Sequence, residues 1–487
     1  MRALLISTYE LGHQPFGLAS PAAWLRAVGI ETDVLDVSRD ALPENLVLRA
    51  NLVAFYLPMH TATRLAMPLI DAVREANPGA HLCCYGLYAA INAEYLRDKG
   101  VTTILSGEFE SGLRELALRL AAREKVIPQS DSAISLSRQK FVRPDRRGLP
   151  PLAKYARLMR PDGSQGIAGY TEASRGCKHL CRHCPVVPVY HGVFRIVQSE
   201  VVMQDIRQQV EAGAEHITFG DPDFFNGTGH ALPLVRELHA QFPQLTYDVT
   251  IKVEHLLRHA ADLPLLRDTG CIFVISAVES VDDAVLARLA KGHTRADFTR
   301  VAGLFREAGL TLHPTFVSFT PWTTLAGYLD LLDVIESEDL IANTAPIQLG
   351  IRLLIPRGSL LLDLPEMAEF IGAFDEQALV YPWTNPDARV DLLASQVQQI
   401  VQRSEKAGHS RAEIFTQIRS AARAAAGLLE ETPRVDLAAL SGIFHTRAPV
   451  AIPYINEPWY CCAEPADDQF LPLARISKAP RQADDFV

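Results

Sequence analysis

Residues 171–185 read TEASRGCKHLCRHCP, placing Cys177, Cys181 and Cys184 in a C-x3-C-x2-C spacing. The stretch follows an apolar segment at 167–173 that reads as a strand, so the three thiols sit on a loop at that strand's end. Thiolate is the soft, anionic donor that iron–sulfur chemistry favours. A [4Fe-4S] cluster takes one thiolate per iron, and with three available one iron keeps an open position for an external ligand. Zinc bound by the three cysteines with His179 or His183, and inert buried thiols, are the competing readings. Structural zinc loops usually carry paired C-x2-C knuckles, and Cys181 with Cys184 supplies only half of one. Arg175, Lys178, His179, Arg182 and His183 surround the thiols with positive charge and N–H donors that would tune a cluster.

Downstream of this loop, apolar runs at 216–220, 245–251, 271–277, 310–319 and 347–355 alternate with segments of helical spacing at 200–212, 232–241, 285–290 and 296–308. With 167–173 these make six βα units, the pattern of a partial (β/α)6 TIM-like barrel whose chemistry belongs at the C-terminal strand ends. Upstream, runs at 2–7, 32–36, 51–57, 81–86 and 102–105 alternate with helical stretches, which predicts a doubly wound parallel sheet. No GxGxxG or P-loop follows its first strand, so a dinucleotide or P-loop site has no support there. A charged, proline-rich strap, RPDRRGLPP at 143–151, lies between the two regions. The expected division is 1–125 (doubly wound), 126–165 (linker or strap), 166–365 (barrel) and 366–487 (a mostly helical region ending in a tail).

The whole chain has 487 residues, 48% hydrophobic and 21% charged, enough to bury large cores. A net charge of −10 argues against nucleic acid as a partner, and no apolar run reaches the roughly 18 residues of a membrane span. The opening MRALLISTYE reads as a first strand rather than a secretion signal, so a cytoplasmic location is expected. Eight cysteines, unevenly placed, do not form a disulfide scaffold, and Cys83 and Cys84 read as buried free thiols.

The cysteine loop at the end of a first barrel strand resembles that of the radical S-adenosylmethionine (SAM) superfamily, with His183 where an aromatic usually precedes the last cysteine. The resemblance implies a [4Fe-4S] cluster on Cys177, Cys181 and Cys184 whose open iron chelates SAM. It also implies reductive cleavage of SAM to methionine and a 5′-deoxyadenosyl radical, with an electron donor such as flavodoxin or ferredoxin. HITFGDPDFF at 216–225 is similar to the segment that receives the SAM amino group, with Asp221 first and Asp223 second. ISAVES at 275–280 resembles the ribose segment, through Glu279 and Ser280. Residues 316–320, ending in Thr320, resemble the segment that packs on adenine. All these residues also suit helix caps and loops, and Lys252, Glu254 and Arg352 read at least as well as solvated or paired side chains.

The order of domains resembles the subgroup with an N-terminal cobalamin-binding domain. The loop after the first strand reads YELGHQPFG at 9–17 and lacks the Asp-x-His pair that often supplies an axial ligand, so cobalamin rests on fold analogy alone. Near the other end, Cys461-Cys462-Ala-Glu-Pro465 resembles the tail signature of a radical SAM family in which selenocysteine can replace the second cysteine. Cys461 and Cys462 are accordingly the expected catalytic pair. They could hold a soft element such as arsenite, cycle through a disulfide, attack an intermediate, or pack as inert thiols. The resulting expectation is a radical SAM enzyme modifying, for instance by methylation, a small-molecule or peptide substrate. The alternatives are aminocarboxypropyl transfer from SAM to thiol-bound arsenite and, from another class, a non-enzymatic metal or corrinoid carrier.

Overall fold

In the computed structural model, residues 1–124, 126, 133–428, 452–456 and 476–477 are described. The N-terminal strands are β1 (Arg2–Ser7), β2 (Glu31–Asp36), β3 (Leu52–Tyr56), β4 (His81–Tyr85), β5 (Thr103–Gly107) and β6 (Ala133–Ser135). They form one parallel sheet in the order β2-β1-β3-β4-β5-β6. β3 is buried along its whole length because helices cover both faces, which is why it reads as an unbroken apolar run. Helices α1 (Phe16–Ala27) and α3 (Glu110–Ala121) pack on one face through Leu18, Leu25, Leu113 and Leu116. On the other, α2 (His60–Ala76) packs through Leu65, Leu69 and Val73. The strand order reverses at β1 and β3, the crevice where such sheets take ligands. The sixth strand, only three residues in a polar stretch, carries no apolar run and was invisible to a hydropathy reading.

The second sheet is built from β7 (Arg157–Met159), β8 (Gln165–Thr171), β11 (His216–Phe219), β12 (Thr246–Thr250), β13 (Cys271–Glu279), β14 (Thr311–Phe316) and β15 (Tyr454–Ile455). Its order is β14-β13-β12-β11-β8-β7-β15, parallel from β8 to β14, with β7 and β15 antiparallel at one edge. A hairpin of β9 (Ser174–Gly176) and β10 (Phe194–Ile196) stands beyond β8. The sixth barrel position is reduced to one parallel bridge, Phe319 with Arg352, secured by Phe319 N donating to Ile351 O and Leu353 N to Phe319 O. A 3-10 turn at Pro346–Gly350 occupies the rest of that segment, since a proline cannot donate to a ladder.

Helices α4 (Ser199–Glu211), α5 (Thr228–Gln241), α6 (Val253–Arg258), α7 (Asp283–Arg288), α8 (Arg295–Ala308) and α9 (Leu325–Ser337) complete the barrel. Beyond it, α10 (Ala388–Lys406) and α11 (Arg411–Ala425) join the barrel core through stripes at Val390, Leu393, Val397 and Val401, and at Ile414, Ile418 and Ala422. The regular helix begins at 388 rather than near 366. Pro365, Pro382 and Pro386 break the intervening stretch into 3-10 turns and isolated bridges.

The 143–151 strap is locked between the two sheets. Arg146 makes two 2.8 Å contacts to the Asp205 carboxylate of α4 and donates to Gln14 Oε1 at 2.7 Å and Tyr170 O at 2.7 Å. Asp145 N donates to Ala19 O of α1. Among the described residues, no helix is long and apolar enough to cross a membrane.

Candidate active site

The cysteine loop leaves β9 at Gly176, whose φ is +74°. A Cβ there would lie 2.4 Å from Tyr190 Cδ1 and 2.5 Å from Val193 O, so the hairpin closes over the loop only with glycine. The loop is pinned from two sides. Lys178 N donates to Asn226 Oδ1, while Arg182 N donates to Leu289 O and its guanidinium caps the α7 carbonyls of Ala287 and Arg288. All three thiols are free, with Cys181 buried and Cys177 and Cys184 half-buried. Burial pushes the Cys177 thiol up to about 11, and metal binding would have to release that proton.

Glu279 ends β13 at a register shift, with φ +69°, a left-handed conformation that a non-glycine residue rarely adopts. Its Oε1 lies 3.2 Å from His183 Nε2 in the cysteine loop and 3.4 Å from Lys291 Nζ. Burial would raise this carboxyl, but Lys291 and then His183 outweigh it and hold Glu279 at about 2. For Lys291, only 3% exposed, burial acts downward, yet Glu279 and the nearby Cys181 and Cys184 sulfurs hold the ammonium above its usual range. Lys291 is thus a buried positive charge behind two of the three thiols. Nothing in the local sequence marks Lys291, because only the folded turn after α7 returns it to Glu279.

Asp221 and Asp223 follow β11 and are both buried, but they face different partners. Asp221 accepts from Ala173 N at 2.9 Å and Ser174 Oγ at 2.5 Å, bracing the approach to the cysteine loop. Burial pushes it up to about 7. Asp223 Oδ1 caps Phe225 N at 3.1 Å, and its Oδ2 lies 2.7 Å from His255 Nδ1 and 3.4 Å from His179 Nε2. Ser280 Oγ accepts from Asp282 N, and Thr320 closes a turn with Thr323 and Trp322 N. Glu254 contacts His179, Lys252 and Arg258, and Arg352 pairs with Asp391, both structural arrangements. Cys461 and Cys462 lie outside the described residues.

Arg175, read in sequence as a charge near the sulfurs, points instead at the N-terminal domain. It donates to Glu110 at 2.7 and 3.0 Å and to Glu172 at 2.6 Å, within 5.0 Å of the Phe109 and Phe141 ring centres. Nearby, His13 from the loop after β1 stacks on Tyr170 of β8 at 4.8 Å, and burial lowers it to about 4, leaving the imidazole neutral. The ligand edge of the first sheet therefore meets the barrel beside the cysteine loop.

Comparison with known proteins bears on this arrangement. Residues 171–321 match the family model described as the radical SAM superfamily. The chain is 24% identical over 340 residues to hopanoid C-3 methylase of Methylococcus capsulatus, covering 66% of this chain and 64% of that protein. It therefore spans less than two thirds of that relative's length. Over 194 residues it is 24% identical to bacteriochlorophyllide d C-8(2)-methyltransferase of Chlorobaculum tepidum, covering 35% of this chain and 39% of that one. In fold it resembles the cobalamin-dependent SAM radical enzyme OxsB with aqua-cobalamin bound, at TM-score 0.67 and 14% identity, over 87% of this chain and 71% of that one. It also resembles the radical SAM methyltransferase TsrM of Kitasatospora setae, at TM-score 0.60 and 17% identity, over 75% and 76% of the two chains.

Proposed function

We propose that this chain, which carries a radical SAM superfamily domain over residues 171–321, is a cobalamin-dependent radical SAM methyltransferase acting on a small molecule or peptide. The observation that carries the reading is the three-thiol loop at the C-terminal edge of a parallel half-barrel, set against the ligand edge of a doubly wound sheet. Relatives named as methylases and a fold neighbour with bound cobalamin support it.

The donor set fits the implied groups. Cys177, Cys181 and Cys184 would hold the cluster, and the Lys291 ammonium behind two of them offsets the negative charge that thiolates bring into a buried loop. SAM is assigned to the strand ends carrying Asp221, Asp223, Glu279, Ser280 and Thr320. Both Glu279 contacts fall on Oε1, so Oε2 is the atom proposed for a sugar hydroxyl. Cobalamin is assigned to the edge formed by the loops after β1, β3, β4 and β5. Gly86, after β4, packs the loop after β3 closely along this edge, because a Cβ there would lie 2.7 Å from Leu57 O. When bound, these groups supply one-electron cleavage of SAM and methyl transfer. The chain's own residues position them, and the buried Arg175 cluster seals the domain junction against water. A flavodoxin- or ferredoxin-type donor supplies the electrons.

The test is anaerobic reconstitution with iron, sulfide and hydroxocobalamin, followed by SAM and dithionite, with nucleosides identified by mass spectrometry and Cys177→Ala as control. 5′-Deoxyadenosine, absent in the control and accompanied by one retained corrin per chain, supports the reading. 5′-Methylthioadenosine would replace it with aminocarboxypropyl transfer, for which Cys461 and Cys462 would be the arsenite-holding pair. Neither nucleoside from a fully loaded protein would favour a carrier.

A further inference from the structure

We propose that Cys177, His179, Asp223 and His255 form a mononuclear site for a zinc-type divalent cation, in competition with the cluster for the Cys177 thiolate. The four residues come from the cysteine loop, the turn after β11 and helix α6, so only the fold assembles them. The ligand atoms of Cys177, His179 and Asp223 all lie within 4.8 Å of one another. His255 is not in that group but stands beside it, with Nδ1 2.7 Å from Asp223 Oδ2 and its ring centroid 4.6 Å from that of His179.

The orientation of the groups separates a metal site from a simple ion-pair cluster. Asp223 has one oxygen tied, Oδ1 accepting from Phe225 N, which leaves Oδ2 aimed inward. His179 has Nδ1 3.5 Å from Glu254 Oε2, which leaves Nε2 aimed inward. A ligating histidine typically gives its other ring nitrogen to a carboxylate in this way. The three inward atoms, His179 Nε2, Asp223 Oδ2 and His255 Nδ1, are buried and make no hydrogen bond of acceptable geometry among the described residues, despite their short separations. Asp223 is 1% and His255 3% exposed, so water does not compensate them. The Cys177 sulfur, a His179 nitrogen and an Asp223 oxygen, with a His255 nitrogen beside the carboxylate, are the donor types that zinc takes.

Cys177 can give its thiolate as a terminal ligand to one centre at a time. A zinc-type ion in this site therefore withholds one of the three cluster ligands and blocks cluster assembly. That competition rests on the proposed cluster, whereas the cation site itself does not.

Metal-free, reduced, full-length protein would be titrated anaerobically with Co2+, whose spectrum reports both tetrahedral geometry and thiolate ligation. The expected result is one Co2+ per chain with a thiolate charge-transfer band, retained in the Cys181→Ala/Cys184→Ala variant. Affinity should fall at least ~10-fold in Asp223→Asn and His255→Gln. Asp223 also caps the 224–227 turn, so His255→Gln, with circular dichroism confirming its fold, carries the test independently. A band lost in the Cys181/Cys184 variant but undiminished in His255→Gln would overturn the site, as would a saturated wild type lacking the band. Prior cluster reconstitution should abolish Co2+ uptake at this site, and undiminished uptake by cluster-loaded protein would overturn the competition.

Discussion

Replacing Lys291 with Met tests whether the charge cluster behind the cysteine loop is as tightly built as its geometry implies. The change preserves most of the side-chain volume but removes the ammonium 3.4 Å from Glu279 Oε1. Glu279 is held at about 2 against an ordinary 4.5. That difference corresponds to roughly 3 kcal/mol, at ~1.4 kcal/mol per unit, shared between Lys291 and His183. Removing one member of a buried pair typically costs ~3–5 kcal/mol because the other charge is stranded. The two routes agree, so a loss of about 3 kcal/mol in urea denaturation at pH 7 is expected. The pH dependence provides a second handle. The depressed Glu279 contributes its stability fully above about pH 4.5 and loses it as pH falls toward 2. In the variant the buried carboxylate lacks its main counter-charge and takes a proton more readily. The gap between the proteins should therefore be widest near neutrality and shrink in acid. A loss below about 1 kcal/mol at pH 7, or a gap that widens in acid, would refute the reasoning.

The remaining expectations follow the same logic. Asp221, pushed up to about 7 from an ordinary 3.8, contributes stability that is full below about pH 4 and lost as pH rises through 7. Asp221→Asn should therefore gain on wild type by about 2–3 kcal/mol between pH 5 and pH 8 in urea denaturation. Gly176→Ala forces a Cβ onto Tyr190 and Val193 at positive φ. It should cost ~2 kcal/mol or more and lower the iron retained per chain after reconstitution. Arg175→Leu strands Glu110 and Glu172 at the domain junction. A loss of ~3–5 kcal/mol is expected, with a Glu110→Gln second change recovering part of it in a double-mutant cycle.

Strands of a parallel sheet covered on both faces are buried and read as apolar runs, so the five principal N-terminal strands and the parallel barrel strands were legible from those runs alone. The sixth barrel position was also read, although Pro346 and its turn shorten it to a single bridge. The helix predicted from residue 366 begins only at Ala388, because three prolines override the composition of that stretch. β6 was missed because a three-residue polar strand at a sheet edge leaves no periodic trace.

The local sequence alone determined the cysteine loop and the carboxylates at the strand ends, since spacing along the chain is a property of the chain. It also showed that Asp221 and Asp223 stand two residues apart after one strand. Only the tertiary structure decided that the first braces Ala173 and Ser174 while the second faces His179 and His255. Only folding carried Lys291 back to the thiols and turned Arg175 away from them toward Glu110, 65 residues earlier in the chain. The physical reason is that a buried charge must find its counter-charge wherever packing brings one. No pattern of neighbours in sequence specifies which distant residue that will be.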